Sequence, residues 1–138
     1  MLNRDVWIHL VNFGLVIFIW TIQLVVYPSF KYFSSDSLLK WHSVYTSAVT
    51  VIVMPLMVTQ VALHGWRLYN HFSAAHGLMM LLVISTWAVT FVLFVPLHNK
   101  IALNQDLVQT LSHLISYNWI RTILWSMIFL VGLFIAQK

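Results

Sequence analysis

An arginine lies inside a stretch of this chain that is otherwise apolar. Arg121 is the only charged side chain in residues 114–136, and Asn118 and Thr122 lie close to it in sequence, within about one helical turn. A charge near the centre of a membrane helix costs about 2.5 to 3.5 kcal/mol on insertion scales, so such side chains usually face a bundle interior or a cavity. We therefore predict that Arg121 faces inward and lies within reach of a polar group from another helix.

The candidate chemistry is recognition of an oxygen-bearing aromatic molecule. A guanidinium and an amide, as in Arg121 and Asn118, can stabilise a phenolate or enolate oxygen, and this stabilisation is strong in a dry site. A histidine such as His42 or His98 can take the phenolic proton, because imidazole exchanges protons near neutral pH. The side chains available to stack on the ring, or simply to pack in the core, are Trp20, Trp87 and Trp125.

Polar and aromatic side chains from all the apolar stretches are predicted to converge at one end of a helix bundle. Separate helices have no local reason to place polar groups at matching depth, so the convergence is evidence for a ligand or catalytic pocket. Hydrogen bonds that only hold the helices together, with polar side chains at span ends reaching toward the membrane surface, explain the same residues without a pocket. The candidate catalytic residues are His42, His98 and Arg121. The candidate substrate-binding residues are Gln23, Tyr27, Tyr45, Asn99, Asn118 and Thr122.

The elements that must position these residues are predicted from composition and hydropathy. With 61% hydrophobic and 7% charged residues, the chain has too little polar surface for a water-soluble globule of its length. Four apolar stretches reach the length of roughly 20 residues that crosses a bilayer as a helix, namely residues 6–27, 41–66, 72–97 and 114–136. We therefore expect an all-α fold, an integral membrane four-helix bundle that forms a single domain over residues 1–138.

An even number of membrane spans places both termini on the same side of the membrane. Trp7 and Trp66 lie at the span ends on that side, and Trp41 and Trp119 lie at the opposite ends, as in an aromatic belt. Apart from Arg121, lysine and arginine are divided equally between the two sides, so they do not fix the orientation. We expect a multi-pass protein of the bacterial inner membrane, with the lipid bilayer and a small lipophilic ligand as partners and no protein partner identified.

Prolines and a run of leucines predict the shape of the bundle. Pro55 lies inside the second span, where it removes a backbone hydrogen bond and predicts a kink. Pro96 is expected to end the third span, because the residue before a proline disfavours the helical conformation. In residues 104–115 leucines recur at helical intervals opposite glutamines. This pattern predicts an interfacial helix between the third and fourth spans, which would act as a lid.

Composition also excludes several classes of protein. The chain has no cysteine, so disulfides, thiolate-ligated haem and all-cysteine iron–sulfur clusters are excluded. The net charge of +4 is spread thinly and forms no basic stripe, so nucleic-acid binding is not expected. The predicted spans contain no Asp or Glu. Proton or cation transport therefore ranks low, because carboxylates in mid-membrane are its usual tool.

The histidines support a rival interpretation, an electron-transfer protein with a non-covalent haem. Bis-histidine ligation needs two imidazoles from facing helices of a bundle. The candidate pairs are His42 with His98 and His9 with His76. A metal site is a further alternative, with the ligands His64, His71 and His76. A third class is an accessory subunit whose polar residues dock onto the helices of a larger membrane complex.

Short motifs near the ends of the spans resemble those of small bacterial four-span membrane proteins of mostly unassigned function. The motifs are Trp20-Thr21-Ile22-Gln23, Tyr27-Pro28-Ser29-Phe30, Trp41-His42, Val95-Pro96-Leu97-His98-Asn99 and Asn118-Trp119-Ile120-Arg121-Thr122. The last two are also similar to motifs of the anthrone-oxygenase-like family, in which a Pro and an Asn close the third span and Asn-x-x-Arg-Thr opens the fourth.

This resemblance implies a membrane enzyme that handles flat, lipophilic phenolic or quinoid molecules together with dioxygen. The residues that it places at the shared site are Pro96, Asn99, Asn118, Arg121 and Thr122. The chain departs from the family pattern because Trp119 follows Asn118, whereas the family has a tryptophan before this motif. Residues and resemblance together predict an oxygenase-like or redox protein that binds a small lipophilic aromatic or quinoid molecule, with no cofactor identified beyond the haem alternative.

Overall fold

The computed structural model describes residues 4–136, which form long helices joined by short turns. The helices are α1 (Arg4–Tyr32), α2 (Ser35–Asn70), α3 (Ala74–Ala102) and α4 (Leu107–Ala136). All are long and apolar enough to cross a membrane, which confirms the prediction of a helical chain with four such helices.

The helices form a bundle in which each is antiparallel to the next. The main contacts join α1 to α2, α2 to α3, α3 to α4 and α4 back to α1. Asp5 near the start of α1 forms an ion pair of 3.4 Å with Arg67 near the end of α2. His42 near the start of α2 packs on His98 near the end of α3, with ring centroids 5.1 Å apart. The apolar core between the helices includes Leu15, Ile19, Val83, Leu114 and Ile128.

Both α1 and α3 contain a π turn shortly before a proline. The π turns are Ile22–Val26, ahead of Pro28, and Thr90–Phe94, ahead of Pro96. A π turn widens the helix by one residue and is common at functional sites. The α-helical segment that follows each π turn has its proline in the first two positions, where a missing N–H is tolerated.

The prediction that Pro96 ends the third span is wrong, because α3 continues past it to Ala102. The π turn explains why the helix continues past Pro96. The Val95 N–H bonds the Thr90 carbonyl, five residues earlier, so the hydrogen-bond register of the helix changes before Pro96. His98 and Asn99 therefore lie on the helix itself and not in a loop.

The predicted interfacial helix over residues 104–115 is not seen as a separate element. Residues from Leu107 onward form the first turns of α4, which runs without a break to Ala136. Leu111 and Leu114 are buried in the bundle core, so the leucine pattern that predicted an interfacial helix is the inward face of α4. α3 and α4 are joined by a short turn in which Asn104 and Asp106 have positive φ angles, 55° and 43°.

The π turn of α3 generates a testable prediction. Deleting Val92, an exposed residue within this turn, should let the Val95 N–H bond the Thr90 carbonyl in regular α-helical register, so the residues that follow keep their orientation and His98 keeps its contacts with Tyr27 and His42. Deleting Leu81, an exposed residue in the regular α-helical part of α3, should instead rotate the residues on its two sides by about 100° relative to each other. We expect the Leu81 deletion to lower the free energy of unfolding in detergent by about 2 kcal/mol more than the Val92 deletion, the order of magnitude for losing several buried hydrogen bonds.

The control for the Val92 deletion is Val92→Ala, which changes the same exposed side chain without changing the number of residues in the helix. It should unfold at nearly the wild-type denaturant concentration. If the Val92 deletion is as unstable as the Leu81 deletion, the π turn is not a one-residue insertion that leaves the flanking helix in register.

Candidate functional site

Arg121 faces the bundle interior, as predicted, with 8% of its surface exposed. Its Nε and Nη2 donate to Asn118 Oδ1 at 3.0 and 2.6 Å, and Nη2 also donates to the Tyr27 hydroxyl at 3.0 Å. The guanidinium carbon lies 3.5 Å from the centroid of the Phe94 ring, an aromatic face that attracts a cation. The charge is therefore held by neutral oxygens and a π system from α1, α3 and α4.

Asn118 connects the arginine to α1 and fixes the orientation of two amides. Because its Oδ1 accepts from Arg121, its Nδ2 is the donor to Gln23 Oε1, at 2.9 Å. Gln23 Nε2 in turn donates to the Ile115 carbonyl at 3.3 Å. Thr122 donates to the Asn118 carbonyl at 3.0 Å. All these side chains are buried, and the spacing of 118, 121 and 122 on α4 places them on the face toward α1.

A second branch runs from the arginine to the histidines, and its proton positions follow from the arginine. A guanidinium only donates, so the Tyr27 oxygen accepts from Arg121 and its O–H donates to His98 Nε2, at 3.2 Å. Since a neutral imidazole has one donor nitrogen, His98 Nδ1 carries the proton and donates to His42 Nε2, at 2.8 Å. The hydrogen bonds therefore all point outward, from Arg121 to His42.

The positive charge of Arg121 has no carboxylate partner in residues 4–136. The chain contains only three acidic residues, Asp5, Asp36 and Asp106. Asp5 pairs with Arg67 at the far end of the bundle, Asp36 is in the first turn of α2, and Asp106 lies just before α4. The interior around Arg121 is thus a site of uncompensated positive charge in apolar surroundings, which favours a ligand atom with negative or partial negative charge.

A cavity of about 350 Å³ lies beside Arg121. Its volume falls in the range of small-molecule binding sites. Arg121 and Trp125 of α4 form part of its inner wall, with Phe18, Ile22 and Tyr27 of α1. The remaining lining comes from α2 and α3, including Tyr45, Thr50, Met57, Trp87, Phe94 and His98.

The cavity wall contains hydrogen-bond acceptors and one unused donor of Arg121. The Thr46, Thr50 and Thr90 hydroxyls in the wall all donate to backbone carbonyls of their own helices, so only their acceptor lone pairs remain. Arg121 uses Nε and Nη2 in its bonds, and within residues 4–136 no hydrogen bond uses Nη1. A ligand oxygen that accepts a hydrogen bond from Nη1 would complete the coordination of the guanidinium.

A separate polar cluster lies deeper in the bundle. Trp125 Nε1 donates to Gln60 Oε1 at 3.2 Å, and Gln60 Nε2 donates to Asn12 Oδ1 at 2.8 Å. His64 Nε2 lies 3.3 Å from Asn12 Nδ2 and 3.4 Å from Asn12 Oδ1, so it bonds the Asn12 amide in either tautomer. These side chains join α1, α2 and α4, and all are buried. The members of this cluster hydrogen-bond one another, and Trp125, at one end of the cluster, lies in the cavity wall.

The two tryptophans of the cavity wall differ in their hydrogen bonding. Trp125 is fully bonded through Gln60, whereas the Trp87 indole N–H is buried and has no partner within residues 4–136. A buried unpaired donor costs about 1 to 3 kcal/mol. Unpaired polar groups of this kind call for an explanation, and a binding site is one of the common ones.

Most of the predicted site residues come together. Gln23, Tyr27, His42, His98, Asn118, Arg121 and Thr122 form one hydrogen-bonded network. Tyr45 is buried against Tyr27, with ring centroids 6.4 Å apart. Asn99 lines the cavity but is exposed. Trp20 does not line the cavity: it lies at the exposed edge of α1 and donates to Ser126 at 3.1 Å.

The geometry of the histidines does not fit a haem held by His42 and His98 or a metal site at His64, His71 and His76. His42 and His98 hydrogen-bond directly at 2.8 Å, whereas two axial nitrogens on one metal lie about 4 Å apart, with the haem plane between the rings. Residues 4–136 contain no group of three metal-ligating side chains placed to hold an ion, so the site at His64, His71 and His76 is not supported. The His9 and His76 haem pair stays a prediction.

Sequence reasoning missed Gln60 and its bonds to Asn12 and Trp125. One signal was present, since Gln60 and His64 are four residues apart and therefore share a helical face inside an apolar span. Their partners could not be read from the sequence, because they depend on which helices become neighbours.

Comparison with known proteins finds no match to this chain among protein-family models, curated proteins or solved structures. The interpretation of the site therefore rests on its geometry and on the motifs quoted above.

The contrast between the two tryptophans can be tested with the same substitution at both. Trp125→Phe leaves Gln60 Oε1 without its donor, whereas Trp87→Phe removes a donor that has no partner. We expect Trp125→Phe to be less stable than Trp87→Phe by about 1 to 3 kcal/mol, the cost of an unpaired buried polar group. Unfolding in detergent measures the difference.

Both substitutions remove the same atoms beside the same cavity, so each is the control for the other. Equal losses of stability, or a larger loss for Trp87→Phe, would contradict the assignment of hydrogen bonds in the cavity wall.

Proposed function

We propose that this protein is a multi-pass membrane protein whose cavity binds a lipophilic phenolic or quinoid molecule through one of its oxygen atoms. The observation that carries the proposal is the buried Arg121, which has no carboxylate partner in residues 4–136 and leaves Nη1 free beside the cavity. A carbonyl or phenolate oxygen matches this donor in charge and in hydrogen-bonding character.

Insertion into a membrane is supported by the outer surface of the bundle. Large apolar side chains such as Val51, Val92 and Phe134 are exposed on the outside of α2, α3 and α4. A monomer in water rarely exposes so much contiguous apolar surface, whereas lipid tails solvate it well. With four spans, both termini would lie on the same side, and the inner membrane of a bacterium is the location we propose.

Arg121 would act on the ligand by electrostatic stabilisation. Charge that develops on a ligand oxygen would lie beside a fixed cation in a site largely shielded from water, where such interactions are much stronger than in bulk solvent. The Asn118 oxygen and the Phe94 ring hold the guanidinium in place before the ligand arrives. Such preorganisation lowers the cost of stabilising the charge when it forms.

The chain from Tyr27 to His42 gives a phenolic ligand a route for its proton. The ligand O–H bond breaks and the Tyr27 oxygen takes that proton, while the Tyr27 proton moves to His98 Nε2 and the His98 Nδ1 proton moves to His42 Nε2. The ligand becomes a phenolate beside Arg121, and His42 becomes an imidazolium. His42 lies between two exposed residues near the start of α2, close to the end of the bundle.

The resemblance to the anthrone-oxygenase-like family adds dioxygen as the co-substrate. In that chemistry a ring CH₂ group becomes a carbonyl, one oxygen atom of dioxygen enters the product and the other leaves as water. Deprotonation assists this reaction because the anion is electron-rich. An oxygenase-like or redox role thus combines the family resemblance with the cation and proton relay of the site.

Binding of a tailless quinone tests the proposal. With 2-methyl-1,4-naphthoquinone as the probe, Arg121→Lys should weaken binding by about tenfold or more, because lysine keeps the charge but not the planar, forked donors. Quenching of tryptophan fluorescence in detergent measures the dissociation constant, since Trp87 and Trp125 line the cavity.

The matched control is Arg67→Lys, the same change at the opposite end of the bundle, which should leave the dissociation constant unchanged. If both variants bind like the wild-type protein, the cluster around Arg121 is structural and an accessory-subunit role is preferred.

Membrane insertion is tested by thiol labelling of intact vesicles. The chain has no cysteine, so a single introduced cysteine reports one position. Tyr32→Cys and Leu103→Cys lie at the ends of α1 and α3, and Phe72→Cys lies between α2 and α3; all three positions are exposed. The first two should react with an impermeant maleimide from one side of the membrane and the third from the other side. Labelling of all three from the same side would contradict the topology.

A further inference from the structure

We infer that the ligand carries a long apolar tail and enters the cavity sideways from the lipid, between α2 and α3. This inference rests on the proposed function and specifies the class of ligand: an amphiphile with an oxygen-bearing aromatic head and a prenyl or alkyl tail.

The cavity opens on the side formed by α2 and α3. Its lining residues from α1 and α4 are buried or partly buried, whereas the exposed ones belong to the other two helices. These exposed residues are Thr50 on α2 and Phe91, Val95 and Asn99 on α3. Apart from Asn99, they lie among exposed apolar residues such as Val51 and Val92. The mouth therefore faces the surface that we assign to lipid.

The cavity extends along the axis of the bundle. Its lining on α2 runs from Tyr45 to Met57 and on α3 from Asn99 back to Trp87. Twelve residue steps in each case correspond to about 18 Å at the rise of an α-helix. An aromatic head of one or two rings is much shorter than this, so most of the cavity needs a different occupant.

Polarity changes from one end of the cavity to the other. The end near the termination of α3 is lined by Tyr27, Tyr45, His98, Asn99 and Arg121. The opposite end is lined by Phe18, Val53, Met54, Met57, Trp87 and Trp125. A head bound at Arg121 therefore leaves the largely apolar end of the cavity unfilled. Methionine side chains, which are flexible, line this end and can adapt to an irregular apolar group.

The π turn of α3 lies at the mouth. Thr90, Phe91 and Phe94 all belong to this turn and all line the cavity. Phe91 is 55% exposed and packs on Trp87, with ring centroids 5.7 Å apart. This turn makes few contacts with α2, and Phe91 is the exposed side chain that we expect a tail to pass.

The first test compares a tailed and a tailless quinone of the same head group. The probes are 2-methyl-1,4-naphthoquinone and its derivative with a tail of four prenyl units. Val53→Phe fills the apolar end of the cavity, so it should weaken binding of the tailed probe by about tenfold while the tailless probe stays within about twofold. Met54→Phe, at the same end, is the second variant in case Val53→Phe does not fold.

The matched control is Val51→Phe, the same substitution on the lipid-facing side of α2, where 74% of the side chain is exposed. It should change neither affinity. If filling the apolar end weakens both probes equally, or neither, the tail does not lie there and the inference is wrong.

The second test concerns the route of entry. A bulky maleimide attached at Phe91→Cys should slow uptake of the tailed quinone from vesicles by about tenfold, whereas the same label at Val92→Cys, outside the cavity, should not. Equal uptake rates for the two labelled proteins would contradict entry between α2 and α3.

These results are separable from a failure of the proposed function. If the tailless quinone binds in a manner that depends on Arg121 but filling the apolar end has no effect, only the inference about the tail fails. If the tailless quinone does not depend on Arg121, the proposed function fails, and the inference fails with it.

Discussion

A buried cation without a carboxylate partner is the constraint on which the interior of this protein depends. The guanidinium of Arg121 has five N–H donors and no acceptor, so its surroundings must provide oxygen atoms or aromatic faces. Asn118, Tyr27 and Phe94 do so from three helices. Each partner is then fixed by its own neighbours, which is why one charge organises a network that reaches Gln23 on one side and His42 on the other.

Helix irregularity makes this arrangement possible. Tyr27 and His98 both follow a π turn, Tyr27 directly before Pro28 and His98 two residues after Pro96. The two π turns thus set the rotation of the ends of α1 and α3, and the turn in α3 also forms the cavity mouth. The irregular backbone, the polar network and the opening of the cavity therefore involve the same few residues.

The helices and the inward position of Arg121 could be predicted from the sequence, because both follow from the free energy of placing side chains in an apolar environment. The cost of a charge in an apolar span predicted that Arg121 would face inward, and span length predicted the helices. The end of α3 was mispredicted because a proline after apolar residues is normally a helix end, and a preceding π turn leaves no mark in hydropathy. The leucines of residues 107–114 fit both an interfacial helix and a bundle face, and only tertiary packing decides between them. A pocket at this end of the bundle was one of the two interpretations of the converging polar side chains, but its opening beside the π turn of α3 was beyond sequence reasoning.

The central claim is that the cavity beside Arg121 holds an oxygen-bearing aromatic amphiphile, and the most direct test is to identify what is bound. The protein and its Arg121→Lys variant would be purified from their native membrane, and the bound small molecules extracted and identified by mass spectrometry. We expect a tailed phenol or quinone in stoichiometric amount with the wild-type protein and much less with the variant. A haem Soret band, or equal traces of unrelated lipids in both samples, would contradict the claim.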